Sequence, residues 1–320
     1  MVRISKLFLI ACVVSIAAWG QENWPQQLHQ PFLLEQQGQF DKAIQILQPL
    51  VDSGGLSESD LGKAWTLLGI AYKEQGHFLE AQGAYEHGLH IFETDEQHTA
   101  NYACVLELFA SLYRAMGQEQ AAIRLGLKAA AIDTELGDHS NVARIYTDIA
   151  LAAIQEHRRK SAQTYLKKAT AESQLTEGLT EDDRAALAST EALFASVNGK
   201  TEEAVTEYRQ ALDLWRRRHG GQDYITGWGF VLLGQALSAN GQLQDGLINL
   251  QQGLTILEQT VGPQNPKYLV GEILYAKALE QSGMHAEASR LRNEAEQSLG
   301  SLLNRSCMNC TVSVVTLLEK

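Results

Sequence analysis

The pair Cys307 and Cys310, in the order Cys-Met-Asn-Cys, has a spacing on which thiol and metal chemistry is often built. Haem attachment at that spacing needs a histidine next, and Thr311 stands there. A structural zinc needs two more ligands, and the chain has no second pair of this kind. A thiol oxidoreductase sets its cysteines at a helix N-terminus after a strand, which lowers the thiolate pKa. Here they follow a helical pattern and precede a β-branched, extended run at residues 311–315. The expectation is a small disulfide loop or a free pair, with a thiol-redox accessory role as an alternative. Cys104 is the odd thiol, on a predicted helix. His87 and His90 stand three apart with Glu86 beside them, but a metal would need a further ligand. No nucleophile–base set, glycine-rich phosphate loop or HExxH pattern occurs. The sequence therefore predicts no catalytic residue, no cofactor and no metal, and a protein that is not an enzyme.

Charge and the first residues narrow the setting. A net charge of −12 argues against a nucleic-acid partner, which needs a basic face to neutralise phosphate. Two basic clusters remain, His157–Lys160 and Arg216–His219. The first falls at a turn between helices and the second at a helix C-terminus, where cations suit the dipole. Arg3 and Lys6 precede an apolar run from Leu7 to Trp19, shorter than the ~20 residues that span a bilayer. That pattern predicts a signal peptide over residues 1–20, cleaved after about Gly20, and an exported chain, periplasmic or secreted, with no membrane association in its mature form. Leu9-Ile10-Ala11-Cys12 also resembles a lipoprotein box, and a lipid-anchored envelope-assembly scaffold is the other alternative.

The elements that would hold any site are helical and periodic. In residues 62–93, Trp65, Leu68, Gly69 and Tyr72 share one helical face. Gly76 marks a turn, and Ala81, Tyr85 and Gly88 form the stripe of a second helix. Gly69 and Ala81 are small because helices that cross closely leave no room for a side chain. The turn marker returns at Gly38, Gly76, Gly117, His157, Gly199, Gly241 and Gly283, and a small residue follows five positions later each time. Two markers that keep one period of 38 to 42 residues predict about seven units.

This pattern resembles the tetratricopeptide repeat, and its long period resembles the kinesin light chain branch of that family. The connectors at Glu135–Ser140 and from Leu254 to Pro266 fit the same branch. The resemblance implies an all-α, right-handed superhelical solenoid of antiparallel helix pairs that binds a protein or peptide segment in a concave groove. A degenerate unit over residues 21–60, with Pro31 and Pro49 expected to kink or shorten its helices, caps a solenoid over residues 61–303. Residues 304–320 form a tail that leaves the pattern, turn-like at its start.

By the family's geometry the first helix of each unit lines the groove. The second unit offers Thr66, Ile70 and Lys73, and the third Glu107, Ser111 and Arg114. The fourth offers Arg144, Thr147 and Leu151, followed by Leu193, then Trp228 and Gln235, then Lys277. The lining mixes apolar centres with scattered charge, and lacks the ordered lysine–asparagine set that clamps a C-terminal carboxylate. It predicts a site for an extended or helical apolar segment.

Overall fold

The computed structural model describes residues 25–95 and 100–306. The leader, Cys12, Cys307 and Cys310 lie outside the described residues. The rest is helix and turn: α1 (Gln26–Gln36), α2 (Phe40–Asp52), α3 (Glu58–Glu74), α4 (Phe78–Asp95), α5 (Ala100–Ala115), α6 (Glu119–Leu136) and α7 (His139–Gln155). Then follow α8 (Arg159–Ser173), α9 (Glu181–Val197), α10 (Thr201–His219), α11 (Tyr224–Ala239), α12 (Leu243–Thr260), α13 (Pro266–Gln281) and α14 (His285–Ser306). Consecutive helices pair into seven antiparallel units, and each unit packs on the next.

Each unit turns by the same device. The glycine at the predicted marker takes a left-handed φ, between 70° and 87° in six units, and His157 takes it at 58° in the fourth. The residue after the marker donates its N–H back to a carbonyl five residues earlier, as in His77 to Tyr72 at 2.9 Å and Arg158 to Ala153 at 2.8 Å. Between units, polar residues cap the first helices: Ser57, Asp138, Asp223 and Asn265 accept from backbone N–H groups of α3, α7, α11 and α13. Thr180 and Asp183 form a reciprocal capping box at α9.

The small positions are small for the predicted reason. A Cβ at Gly69 would lie 2.5 Å from the Tyr85 ring, and one at Gly234 would lie 2.8 Å from the Gly246 carbonyl. Alanines at the marker-plus-five position, such as Ala43, Ala81, Ala162 and Ala204, are fully buried. Because the crossings are so close, most of the core is one body of interdigitating side chains from Leu28 to Leu299, with a smaller separate cluster of Leu151, Ala153, Ile154, Ala162 and Leu193.

Both prolines sit inside short helices, α1 of 11 residues and α2 of 13, as the expected shortening requires. Helix α1 starts before Pro31 and runs through it, and α2 continues past Pro49 to Asp52. The residues four before them, Gln27 and Gln45, are exposed, so the carbonyl each proline leaves unbonded can reach water. Residues 304–306 are not a turn: they close the last turn of α14.

Candidate functional site

The first helices α3, α5, α7 and α9 touch their counterparts in neighbouring units, as α11 and α13 do, and so form an inner layer. Residues at matching registers meet across it. Lys73 of the second unit donates to Ser111 Oγ of the third at 3.2 Å. Arg144 of the fourth grips Glu107 of the third with two bonds of 2.6 Å, Nε to Oε1 and Nη2 to Oε2. Both side chains are shut away, 6% and 2% exposed. Burial alone would lower the guanidinium's pKa, but the charge and hydrogen bonds of Glu107 reverse this and hold Arg144 ionised. Two hydroxyls are spent locally: Thr66 and Thr147 donate to the carbonyls of Gly62 and Ala143 on their own helices.

The structure thus brings Lys73 to Ser111 and Glu107 to Arg144, and it buries most of the predicted groove residues. Thr66, Ile70, Lys73, Glu107, Ser111 and Arg114 are buried. So are Arg144, Thr147, Leu151, Leu193 and Trp228, while Gln235 and Lys277 are half-buried. Cys104 lies in the same layer, 3% exposed, and burial, reinforced by the Glu107 charge, pushes its thiol up to about 12. Burial likewise lifts Asp133, on α6, to about 7, with Glu107 adding to the effect.

The two ends of the layer meet. Lys267, the second residue of α13, pairs with Glu74 at the end of α3, and Lys73 approaches the same carboxylate at 3.2 Å. Burial would raise Glu74, but the two lysines pull it down to about 2. Asn265 donates to the Glu74 carbonyl at 3.0 Å across 191 residues of chain. Glu35, on α1, faces this cluster. It stands 38 residues before Lys73, the interval of the first unit, and so holds the same groove register. Sequence reasoning missed it by treating the first unit as a cap, and the register was the signal that could have found it.

The other candidates settle into structural roles. Arg217 and Arg218 pair with Glu181 and Asp182 at 3.0 and 3.8 Å, and His219 meets Asp182 at 2.6 Å. The basic end of α10 thus lies against the acidic start of α9. His87 is exposed and stacks on Trp65, with centroids 4.4 Å apart. Among the described residues, no group of three or more His, Cys, Asp or Glu side chains is placed to hold a metal. No helix among the described residues is long and apolar enough to cross a membrane.

The tetratricopeptide repeat family model matches residues 101–171 and 183–259, which are α5–α8 and α9–α12. These units are tetratricopeptide repeats. The flanking pairs α1–α4 and α13–α14 carry the same turn device in the same register. Among solved structures, the tetratricopeptide array resembles the Rap conjugation gene regulator of plasmid pLS20 in complex with the Phr* peptide. The TM-score is 0.68 at 16% identity, covering 88% of this chain and 74% of that one. A Rap protein complexed with competence and sporulation factor gives 0.63 at 15%, covering 87% and 85%. Kinesin-light-chain-like repeats of Podospora anserina give 0.46 at 22%, covering 62% and 95%. At these identities the likeness is one of fold. A comparison with curated protein sequences returned no match.

Proposed function

We propose that the chain is an exported, non-enzymatic scaffold that holds an extended or helical segment of another protein against its inner layer. The observation that carries this reading is the inner layer's composition. A surface built only to pack would be apolar, yet α3, α5 and α7 place Lys73, Glu107, Ser111, Arg114 and Arg144 there. Buried charges of this kind add little stability compared with apolar residues of the same volume. Side chains that can release one another and take up a peptide's polar groups give them a use. Two arrays of similar fold are found in complex with the Phr* peptide and with competence and sporulation factor, which supports the same reading by analogy. Export rests on the leader pattern at residues 1–20.

The test is affinity capture with the mature chain and with a variant carrying Ile70→Glu and Leu151→Glu, both confirmed helical by circular dichroism. Retention of a partner by the native chain alone, with crosslinks mapped to α3, α5 or α7, is the expected result. Equal retention by both chains would refute the inner layer as the site. Mass spectrometry of the exported chain should find it beginning at Gln21; a chain that keeps residues 1–20 would overturn the export reading.

A further inference from the structure

A stack of repeats is held together unit by unit, and its ends have no reason to touch. Here they do, and the contact is built from residues that differ from their counterparts elsewhere in the array. Gly199, Gly241 and Gly283, the turn glycines of the last three units, have open space where a Cβ would stand. Gly38 and Gly76, of the first two units, do not. A Cβ at Gly38 would lie 3.0 Å from the Tyr224 ring and 3.1 Å from Val261. One at Gly76 would lie 3.0 Å from Leu302 and 3.1 Å from Pro266. Phe40 meets the Tyr224 ring edge-on at 5.6 Å, and Lys267 lies 5.6 Å over the same ring. The turns of units one and two are thus seated on units six and seven.

The centre of this seam is charged. Lys267 is 1% exposed and pairs with Glu74, itself shared with Lys73. Glu35 is 3% exposed, and neither of its carboxylate oxygens has a hydrogen-bond partner among the described residues. It is faced by Lys73 and Glu74 from α3, and its charge reaches Tyr85 on α4 and Tyr224 on α11. Beside this centre the seam is polar: the turn at residues 37–42, Gln75 and residues 259–261 line an open cleft of about 420 Å³. A contact with a buried ion cluster, an unpartnered carboxyl and a polar cleft is a poor permanent interface, and separating it requires no unit to unfold.

We propose that this seam is a gate on the inner layer: the first two units lodge against the last two and hold it shut, and Glu35 sets the balance between shut and open. A neutral Glu35 is tolerated in the seam, and an ionised one opposes closure. Burial, helped by the Glu74 charge and opposed by Lys73, raises the carboxyl well above its ordinary value. An acid so shifted favours the shut form below the usual carboxylate range, and that contribution is lost as pH rises through the raised value. The gate is a property of the unliganded chain, so it stands or falls separately from the binding reading.

On this proposal, opening the gate uncovers Cys104, which is buried on α5 in the shut form. The experiment measures maleimide labelling of Cys104 in the full chain, resolved from the other cysteines by peptide mass and normalised at each pH to the unfolded chain. Lys267→Met, which leaves Glu74 and Glu35 short of a counter-charge, should speed labelling at least tenfold at neutral pH while far-ultraviolet circular dichroism stays native. Glu35→Gln should slow it at least threefold and abolish its rise with pH. An unaltered rate in a folded Lys267→Met chain overturns the gate, and so does a pH dependence unchanged by Glu35→Gln. Should Lys267→Met unfold, the Glu35→Gln profile decides alone. A gate that opens on a chain that captures no partner would leave this inference standing and remove the proposed function.

Discussion

Replacing Glu107 by Gln tests whether the inner layer is as dry as the structure shows. The substitution keeps the shape and removes the carboxylate that grips Arg144 with two hydrogen bonds. With the Arg144 side chain 6% exposed, its charge cannot be passed to water. Removing one member of a buried ion pair costs about 3–5 kcal/mol, against a typical domain stability of about 5–15 kcal/mol. A surface pair is worth at most about 1 kcal/mol, so the two situations are well separated. Urea titration followed by circular dichroism should show a large fall in midpoint with an unchanged slope. The chain carrying both Glu107→Gln and Arg144→Met should recover most of the loss, since no unpaired charge is left inside. A coupling of about 2 kcal/mol or more is expected from the complete cycle. If Glu107→Gln loses less than about 1 kcal/mol, the pair is solvated and the covered inner layer is not the resting state.

Three further outcomes follow from local geometry. Gly69→Ala gains about 1 kcal/mol of helix propensity but forces a methyl against the buried Tyr85 ring at 2.5 Å. Overpacking at about 1–3 kcal/mol outweighs the gain, and thermal melting should show net destabilisation. Thr180→Ala removes the hydroxyl that accepts from Asp183 N at 3.1 Å, and should cost about 1 kcal/mol by urea titration. Asp133, pushed up to about 7 mainly by burial, stabilises the fold below its ordinary range and loses that contribution as pH rises through 7. The melting temperature should therefore fall between pH 5.5 and pH 8, and Asp133→Asn should flatten the fall; equal slopes in both chains would refute the assignment.

What could be read from sequence was whatever repeats locally. The turn markers were legible because a left-handed residue and a small residue five positions on are needed at every crossing, and His157 betrayed itself by its place in the series. The caps at Asp138, Thr180 and Asn265 are likewise local, each fixed by its immediate neighbours. Pro31 and Pro49 mark the two shortest helices, α1 and α2, each of which runs through its proline. The burial of the predicted groove residues was not legible in the sequence. It depends on the rotation accumulated over seven units, a sum no window of sequence contains. Glu35, Glu74 and Lys267 acquire their meaning only through that sum, since Asn265 and Glu74 meet across 191 residues.

The meeting of the ends also constrains how such a gene can change. An open array tolerates the gain or loss of a unit, because every junction is alike and the termini answer to nothing. Here a unit gained or lost between the second and the sixth would carry Lys267 past Glu74 and leave Gly38 facing something other than Tyr224. The number of repeats has become part of the specification, as the number of staves is for a barrel. Duplication and deletion, the ordinary currency of repeat evolution, are closed to this chain for as long as its seam is kept.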